Sequence, residues 1–411
     1  MTQPWFVLLE SNSTGTGQIF AAAARETGLQ PIMFAENPDR YPFLDTEQIP
    51  RLRINTRDNR ALREAMAALA SDGLAGIYSS SEYYIETAAR LASEFGLPGA
   101  DPAAVAICRN KHRTRQALDR SGIGVPRFGC ATDEVQAYGF IHNFSLPMVV
   151  KPTTGSGSAG VLLCRTKESA EAHSAKILLR TQNERGLPMP KEVLIEEYLA
   201  GPEFSVETFG VEVVGVSRKH LSPEPDFVEV GHDFPAQING AARRELTQTV
   251  LLALRAIGLT WGPAHTEVRL TAAGPRIIEI NPRLAGGFIP EIVRLATGFD
   301  SISATVELAS GKQKPMTCPQ HLVSSIRFVM CPGEGIVAGV SGLSEAGRIQ
   351  GVVEIRIYRQ TGEHVCISHD FRDRIGHVIA VAETEAESAS RAEEALRLIS
   401  VELGACPGLT P

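Results

Sequence analysis

The sequence predicts an α/β protein with several sheets, and three observations lead to this fold class. Residues 1 to about 100 alternate short apolar runs with helical stretches, which is typical of a parallel sheet flanked by helices. Residues 264–280 have the pattern of two antiparallel strands joined by a tight turn. From about residue 306 the chain combines hairpin character with a final helix. At 411 residues, the chain is long enough for two or three domains.

The composition excludes several classes of protein. With 43% hydrophobic residues, the chain is expected to be a soluble globular protein. The net charge of −7 and the lack of a long Lys/Arg stripe argue against nucleic acid as a partner. The 7 cysteines are dispersed without a CxxC pair, as in a reduced cytoplasmic protein. The start, MTQPWFVLLES, predicts neither a signal peptide nor a membrane association.

Residues 1–100 are predicted to form the first domain. The loop Glu10–Gly17 follows a strand and opens a helix, where backbone N–H groups can hold an anion. Phe20 stands where a dinucleotide fingerprint needs its third glycine, so a small-substrate loop or a structural turn is the better interpretation. The expected strands are Trp5–Leu9, Gln30–Phe34 and Gly76–Tyr78, and the expected helices are Gly17–Glu26, Arg60–Ala70 and Ile85–Glu94.

Pro98–Pro102 marks the predicted boundary to a second domain, 101–305, and a third domain covers 306–411. A helix over Ala103–Ser121 is expected to carry Lys111. The strands expected next are Pro147–Lys151, Val161–Cys164, Glu192–Tyr198 and Gly201–Phe209. The tail is expected to hold the hairpin strands Ser324–Met330 and Val352–Tyr358 and the final helix Ala386–Leu403.

The predicted hairpin at 264–280 carries the residues most informative about chemistry. Glu267 lies on its first strand, while Glu279 and Asn281 share one face of its second strand, because side chains alternate along a strand. Two carboxylates and an amide oxygen suit Mg²⁺, whose octahedral shell phosphate oxygens commonly complete. Arg283 follows and suits the charge on a transferring phosphoryl group. The alternative is a solvated hairpin edge with ordinary acidic residues.

A glycine loop after Lys151 has the composition of a phosphate site. The segment Thr153–Gly160 is rich in hydroxyl groups and small residues, so it can fold over phosphates while Lys151 adds a charge. The lysine precedes the glycines, so this is not a Walker A loop, and a plain flexible hairpin is the alternative. The loop residues expected to approach the phosphates are Ser156, Gly157 and Ser158.

The segment Glu196–Glu203 meets a different requirement of a nucleotide. Backbone groups at a strand end can supply the acceptor and the donor that an adenine edge needs. Glu203 can accept hydrogen bonds from ribose hydroxyls. Taken alone, the segment could equally be an acidic, exposed strand end.

In their order along the chain, Lys111, Lys151 with its glycine loop, Glu196–Glu203 and the acidic hairpin resemble the ATP-grasp enzymes of the carboxylate–amine ligase branch. The resemblance implies an ATP-grasp fold with an N-terminal Rossmann-like (pre-ATP-grasp) domain, a lid of about residues 125–195 and a C-terminal α+β closing domain. Asp373–Ile379 and the Glu/Ala-rich helix that follows resemble the closing domain of biotin carboxylase-like members.

The resemblance also implies the cofactors and the residues that hold them. The cofactors are ATP and Mg²⁺, with Mn²⁺ as a substitute. The two lysines contact phosphates, the strand end receives adenine, and the last glutamate of the nucleotide set takes ribose. The nucleotide set comprises Lys111, Lys151, Ser156, Gly157, Ser158, Glu196, Glu197, Leu199 and Glu203. The metal set comprises Glu267 and Glu279, with Asn281 assisting.

Residues 225–236 resemble the substrate loop of the L-amino acid ligases, the family that contains the bacilysin synthetase. In those enzymes a glutamate and a histidine three positions apart face the amino acids, which corresponds here to Glu229 and His232. A carboxylate suits an ammonium group, and a neutral histidine can help to deprotonate the attacking amine. The alternative for His232 is a surface histidine or one satisfied in the core.

Two further segments are expected near the substrates. Glu82 and Tyr83 follow a strand at the carboxyl edge of the first sheet, where open α/β sheets bind ligands. They could equally belong to a helix N-cap segment that begins at Ser80 or Ser81. Gly286-Gly287 allows a substrate carboxylate to approach backbone amides, with a plain loop as the alternative.

We therefore expect an ATP-dependent ligase that turns a carboxylate into an acyl phosphate and couples it to an amine. Two amino acids are the expected substrates, in dipeptide or other secondary-metabolite biosynthesis. Arg283 would stabilise the acyl phosphate, unless it forms a structural ion pair with Glu279 or Glu291. The polar loop Glu10–Gly15 hints at a polar or acidic substrate, and related enzymes are commonly homodimers. The alternatives are a biotin carboxylase-like component that activates bicarbonate and a non-catalytic ATP-binding regulatory protein.

Overall fold

The computed structural model describes residues 3–12, 16–155, 157–183, 186–312 and 315–404, and it begins with the predicted parallel sheet. The strands are β1 (Trp5–Leu9), β2 (Gln30–Ala35), β3 (Arg51–Arg53) and β4 (Leu74–Tyr78), in the order β3-β2-β1-β4. The helices are α1 (Thr16–Glu26), α2 (Phe43–Thr46), α3 (Asn59–Ala70) and α4 (Ile85–Glu94). Phe6 and Leu8 of β1 enter one apolar cluster, and Val7 and Leu9 enter another. The sheet is therefore covered on both faces, as parallel sheets usually are.

The helix predicted over Ala103–Ser121 is divided in the structure into α5 (Pro102–Arg109) and α6 (Lys111–Arg120). Asn110 between them has an extended backbone, and its side chain accepts a hydrogen bond from the N–H of Arg113. An asparagine side chain competes with the helical backbone in this way, so Asn110 caps a new helix. Lys111 therefore begins α6, where its N–H donates to the carbonyl of Thr153 at 2.8 Å.

Residues 128–197 contain the four-stranded sheet of the predicted lid. The strands are β5 (Phe128–Ala131), β6 (Met148–Pro152), β7 (Leu162–Cys164) and β8 (Val193–Glu197), in the order β5-β8-β6-β7. Two helices, α7 (Glu134–Asn143) and α8 (Lys167–Leu178), cover one face, where Val150 and Ile195 enter the core. Because side chains alternate along a strand, Lys151 and Glu196 lie on the other face.

The rest of the chain forms one large antiparallel sheet and one small sheet. The strands are β9 (Glu203–Phe209), β10 (Glu212–Leu221), β11 (Glu229–Phe234), β12 (Pro263–Thr271), β13 (Gly274–Asn281), β14 (Val323–Met330), β15 (Gly335–Ser341), β16 (Val352–Ile357), β17 (His364–Val365), β18 (Arg374–Ala382) and β19 (Ser400–Gly404). The large sheet has 8 strands in the order β13-β12-β9-β10-β11-β14-β18-β16, and the small sheet has 3 in the order β17-β15-β19.

The α-helices of this part of the chain lie between these strands in sequence. They are α9 (Gly240–Ile257), α10 (Ile289–Thr297), α11 (Ser301–Ala309), α12 (Leu343–Ala346) and α13 (Glu385–Leu398), and short 3₁₀ helices lie at Pro38–Arg40 and Phe371–Asp373. Within the described ranges, no helix is both long and apolar enough to cross a membrane.

Two expectations for the tail are wrong. The strands near residues 324–330 and 352–358 do not pair with each other, because both pair with β18, which lies between them. The final helix ends at Leu398 rather than Leu403, and Ser400–Gly404 forms β19 beside β15. The local sequence does not show which strands pair or whether the last residues form a helix or a strand. A short apolar segment becomes a strand when the edge of another strand is available to pair with it, and that depends on the rest of the fold.

One face of the large sheet is apolar and the other is polar, because successive side chains along a strand point to opposite faces. On β9, Phe204 and Val206 face an apolar core that includes Val250 of α9. Glu203 and Ser205 alternate with them and lie on the opposite face. This polar face and the lid sheet enclose a cleft.

Arg115 of α6 connects three parts of the fold that surround the cleft. Its substitution therefore tests whether these contacts stabilise the structure. It is fully buried, its Nε lies 2.6 Å from Glu196 of β8, and its Nη2 donates to the carbonyl of Ile278 of β13 at 2.6 Å. Removing one partner of a buried ion pair costs about 3–5 kcal/mol when the other charge is left alone, and the lower end applies here because Glu196 keeps Lys151 as a partner. We expect Arg115→Met to lower the free energy of unfolding by about 3 kcal/mol, measured by urea denaturation.

The matched control is Arg113→Met, on the exposed side of the same helix. Its free energy of unfolding is expected to stay within about 0.5 kcal/mol of the wild type. Equal stability of the two variants would contradict the role given to Arg115.

Candidate functional site

The cleft between the lid sheet and the polar face of the large sheet spans about 900 Å³, including space that is open to solvent. It brings together most of the residues predicted for the nucleotide and the metal. Those that line it are Lys111, Lys151, Gly157, Ser158, Glu196, Glu197, Leu199, Glu203, Glu267 and Glu279. Val149, Val161 and Ile278 add apolar walls. Ser156, the remaining predicted loop residue, lies outside the described residues.

Lys151 and Glu196 form a buried ion pair on the lid side of the cleft. Lys151 Nζ lies 2.5 Å from Glu196 Oε2, and Arg115 Nε lies 2.6 Å from Oε1. Burial lowers the pKa of Lys151, although Glu196 opposes this effect. Burial raises the pKa of Glu196, but Arg115 and Lys151 outweigh it and leave that pKa below its usual value. The Glu196 carboxylate therefore holds Lys151 at the cleft.

The glycine loop after Lys151 is tied to both sides of the cleft. Its Gly155 carbonyl accepts a hydrogen bond from Lys111 Nζ at 2.9 Å. Ser158 Oγ donates to the carbonyl of Phe227 at 3.1 Å, and the carbonyl of Gly157 accepts from the N–H of Phe371 at 3.3 Å. The loop thus connects the lid with the substrate loop and with the C-terminal region.

The acidic hairpin forms as predicted, with Glu267 of β12 directly opposite Glu279 of β13. Glu279 Oε1 lies 3.0 Å from Lys111 Nζ, and Glu267 Oε1 lies 2.9 Å from Lys219 Nζ. In the part of the chain that the structure describes, no three His, Cys, Asp or Glu side chains are grouped to hold a metal. Glu267 and Glu279, which both line the cleft, nonetheless suit Mg²⁺, which commonly takes its other ligands from phosphates and water. Asn281 is buried opposite His265 and is not among the residues that line the cleft.

Lys219 of β10 is a site residue that the sequence pattern does not reveal. Its Nζ lies 2.8 Å from Glu203, 2.9 Å from Glu229 and 2.9 Å from Glu267. It therefore joins residues predicted for ribose, substrate and metal. Burial lowers the pKa of Lys219, but the three carboxylates outweigh it and raise the pKa well above its usual value. Only the pairing of β10 with its neighbours shows that this lysine faces the cleft.

His265, opposite Asn281 in the hairpin, is a second such residue. Its Nδ1 lies 2.9 Å from Glu207, and its Nε2 lies 3.4 Å from Glu267. Burial lowers the pKa of His265, but Glu207 and Glu267 outweigh it and raise the pKa to about 10. Burial likewise raises the pKa of Glu267, but Lys219 and His265 hold it below its usual value. Glu267 is therefore ionised.

Glu82 lies in the candidate site, but two arginines hold its carboxylate. Arg109 of α5, which the sequence pattern does not single out, and Arg283 both pair with it. Burial raises the pKa of Glu82, but Arg283 and Arg109 outweigh it and lower the pKa to about 2. Arg283 thus does have an ion-pair partner, but that partner is Glu82 rather than Glu279 or Glu291.

Tyr83 lies beside the same group, with the Arg109 guanidinium 5.7 Å from the centre of its ring. The N-cap residue of α4 is Tyr84, and it forms no side-chain capping hydrogen bond. The alternative in which Ser80 or Ser81 caps this helix is therefore wrong. Glu82 and Tyr83 come to the site because they follow β4 at the carboxyl edge of the sheet.

Glu10 does not supply the polar substrate contact that its loop suggested. Its carboxylate is buried, and it accepts hydrogen bonds from the hydroxyl of Tyr41 at 2.6 Å and from Thr56 at 3.1 Å. The N–H of Glu36 also donates to it, at 2.8 Å. Glu10 therefore joins parts of the first domain to one another, and residues 13–15 of the loop lie outside the described residues.

The predicted substrate pair comes together at the edge of the cleft. The Glu229 carboxylate lies 3.6 Å from His232 Nε2, 2.9 Å from Lys219 and 2.6 Å from Arg374 of β18. His232 is fully buried, and neither ring nitrogen has a hydrogen-bond partner among the described residues. Burial lowers the pKa of His232 to about 3, so the ring is neutral at physiological pH. Both alternatives for His232, a surface histidine and one satisfied in the core, are therefore wrong.

Gly286 and Gly287 lie next to this pair. Gly287 has φ +60°, and a Cβ there would lie 2.8 Å from His232 Nε2. Only a glycine lets the backbone and the histidine come this close without strain. A Cβ at Gly286 would meet nothing within 4 Å, so the backbone at that residue is open.

Comparison with known proteins gives two matches to family models. The ATP-grasp domain matches residues 144–291, and the L-amino acid ligase C-terminal domain 2 matches residues 327–404. The uncharacterized protein y4rH of Sinorhizobium fredii is 33% identical over 96% of this chain and 82% of its own length. Carnosine synthase 1 of Gallus gallus is 28% identical over 80% of this chain, which spans 38% of that protein.

Two solved structures share the fold. The L-amino acid ligase from Bacillus licheniformis superposes with a TM-score of 0.81 at 21% identity, over 98% of this chain and 100% of that one. The biotin carboxylase domain of the Hydrogenobacter thermophilus 2-oxoglutarate carboxylase, a dimer with MgADP, has a TM-score of 0.72 at 17% identity. That match covers 98% of this chain and 92% of the other.

The ion pairs of His265 predict a pH dependence of stability. Its pKa in the folded state, about 10, lies above the ordinary value of 6.5, so the native state keeps a proton that the unfolded state loses between these values. The stabilisation is complete below the lower value and is lost as the pH rises through the higher one. Between about pH 7 and 10, we expect the free energy of unfolding to fall less steeply in His265→Gln than in the wild type.

Urea denaturation at several pH values measures this slope. His364→Gln is the control. The side chain of His364 is 53% exposed, and its ion pair with Glu334 is long, at 3.9 Å, so it is weak. It is expected to keep the wild-type slope. If His265→Gln also keeps that slope, the cationic state of His265 is wrong.

Proposed function

The chain belongs to the ATP-grasp superfamily of carboxylate–amine ligases, and we propose that it couples the carboxylate of one amino acid to the amine of a second. The predicted ATP-grasp fold, ligase class and use of ATP are confirmed. One observation carries the proposal: a row of charges on one sheet face joins the nucleotide cleft to the substrate pair. The row runs through Lys111, Glu279, Glu267, Lys219, Glu229 and Arg374.

The nucleotide is proposed to lie between the lid and the large sheet. Val149 and Ile278 offer apolar walls for adenine beside the strand end at Glu197 and Leu199, whose backbone would contact its edge. Glu203 would accept from ribose hydroxyls. The phosphates would then reach the glycine loop, where Lys111 and Lys151 carry the balancing charge. Both lysines line the cleft, Lys151 on the lid sheet and Lys111 at the start of α6.

We infer that Mg²⁺ is held by Glu267, Glu279 and Asn281, and that Mn²⁺ substitutes for it. When bound, the ion offsets charge on the transferring phosphoryl group. The chain supports this with Lys219 and His265, which keep Glu267 ionised. In the structure, Lys111 pairs with Glu279, and Lys219 pairs with Glu267. Bound phosphates would give both lysines an alternative anionic partner, which would leave the two carboxylates to the metal ion.

The proposed reaction has two steps, and Arg283 and His232 assist them. A carboxylate oxygen of the first substrate attacks the γ-phosphorus, the bond to the β,γ-bridging oxygen breaks, and an acyl phosphate and ADP form. Arg283, oriented by Glu82, stabilises the charge on the acyl phosphate. The amine then attacks the acyl carbon, phosphate leaves, and neutral His232 accepts the proton that the amine releases.

Amino acids are favoured over bicarbonate as the activated acid. The match of residues 327–404 is to the C-terminal domain of the L-amino acid ligases, and a carnosine synthase is among the relatives. A dipeptide or a related secondary metabolite is therefore the proposed product. The free cysteines among the described residues support a cytoplasmic location, and the dimer formed by the biotin carboxylase domain supports a homodimer.

The test is a screen of phosphate release from ATP with single amino acids and with pairs, followed by mass detection of products. We expect release that depends on a pair, together with a product lighter by one water than the sum of the two. Bicarbonate with a biotin acceptor is the comparison reaction. Release that requires bicarbonate and biotin, and no amino acid, would refute the proposal.

Glu279→Gln tests the metal assignment. The substitution keeps the size of the side chain but removes the charge that would bind Mg²⁺, so ADP formation is expected to fall by at least about 100-fold. Coupled-enzyme measurement of ADP at saturating ATP records this change. Glu212→Gln, an exposed residue of β10 in the same sheet, is expected to keep wild-type turnover. Wild-type turnover in Glu279→Gln would exclude Glu279 as a metal ligand.

A further inference from the structure

Arg374 reaches the substrate pair from the C-terminal part of the chain. It is the first residue of β18, yet its Nη2 lies 2.6 Å from the Glu229 carboxylate and its Nε donates to the Glu229 carbonyl at 3.0 Å. The guanidinium lies 4.3 Å from the centre of the Phe328 ring. Two hydrogen bonds and a ring therefore hold this arginine in one orientation.

The remaining nitrogen of Arg374, Nη1, has no hydrogen-bond partner among the described residues. A Cβ on Gly287 would lie 3.4 Å from Nη1 and 2.8 Å from His232 Nε2. One free donor of Arg374 and one unpartnered nitrogen of a fully buried histidine thus meet at the same glycine. The histidine nitrogen is buried without a partner, and buried polar groups normally have one, which indicates that a polar ligand belongs here. The Arg374 side chain is 11% exposed, so its free donor can reach such a ligand.

The charges at this point match those of an amino acid. Glu229 is anionic, since burial raises its pKa but Lys219 and Arg374 outweigh this and hold it well below the usual value. Arg374 is cationic and in contact with Glu229. An amino acid carries an ammonium group and a carboxylate a few bonds apart. The ammonium group is complementary to Glu229, and the carboxylate is complementary to Arg374 beside it. His232, 3.6 Å from Glu229, lies where it can take the proton of the amine.

We propose that Arg374 binds the carboxylate of the amine substrate, while Glu229 binds its amino group. This assignment rests on the proposed ligase function and narrows the second substrate to amines with a free carboxylate near the amine, that is, amino acids. Amino acid amides and simple alkylamines lack the anionic group that Arg374 recognises. Arg374 is thereby a specificity-determining residue supplied by the C-terminal region.

The experiment compares a free amino acid with its amide as the amine substrate. A charge-assisted hydrogen-bond pair is lost with the amide, so the wild type is expected to prefer the free acid by about 10- to 100-fold in kcat/KM. In Arg374→Gln, KM for the free acid is expected to rise by a similar factor, the preference over the amide to disappear, and KM for ATP to change less than about 2-fold. Arg374→Lys, which keeps the charge but not the planar fork, is expected to retain part of the preference.

Arg372→Gln is the matched control, because Arg372 precedes Arg374 by two residues and pairs with Asp370 at 2.7 Å. It is expected to keep the wild-type preference. The proposal is overturned if the wild type uses the amide as well as the acid. It is also overturned if Arg374→Gln loses activity with both to the same extent, since that result assigns Arg374 a structural role only.

A binding measurement separates this proposal from the proposed function. Calorimetric titration of the free acid and of the amide into wild type and Arg374→Gln, with a non-hydrolysable ATP analogue present, requires no product formation. If no pair of amino acids is ligated, yet the wild type binds the acid at least about 10-fold more tightly than the amide and the variant does not, the ligase function fails while the subsite stands. Equal binding of acid and amide by the wild type overturns the subsite whatever the reaction.

Discussion

The burial of ionised side chains in one cleft is the constraint on which the rest of this structure depends. A charge removed from water destabilises the fold unless it is closely paired, and Lys219 meets that requirement with carboxylates from three different strands. Those strands must keep one register for all three contacts to exist at once. The pairing therefore orients Glu229 and Glu267 before any substrate arrives, which is the preorganisation that phosphoryl and acyl transfer require.

The same constraint explains why every part of the chain contributes to the site. Lys151 comes from the lid, Glu82 from the first domain and Arg374 from the last strands of the large sheet. Glu82 and Arg374 pair with residues far away in the chain, and Lys151 is linked to α6 through Glu196, which also pairs with Arg115. Glu82 binds Arg283, Lys151 binds Glu196 beside Arg115, and Arg374 binds Glu229. The glycine loop adds contacts to residues 227 and 371. The candidate site consequently lies where these parts meet.

Residues close together in the chain were the ones that the sequence could place. Glu267 and Glu279 lie opposite each other because a tight turn joins their strands, and this local arrangement follows from the pattern of side chains. Lys111 was assigned correctly to the cleft, but its helix begins at a cap on Asn110 that the apolar pattern does not show. Lys219, His265 and Arg109 were not found, since a single charged residue in a strand or helix looks the same whether it faces solvent or a buried site.

The sequence by itself determined the fold class, the family and the hairpin and loop segments that line the cleft, because local hydrophobic periods and turn residues specify strands and loops over short distances. Only the tertiary structure decided which charges pair. Arg283 meets Glu82 across 201 positions of sequence, and Arg374 meets Glu229 across 145. Contacts of that separation depend on strand order and on the packing of the first sheet against the large one, and no local pattern encodes either.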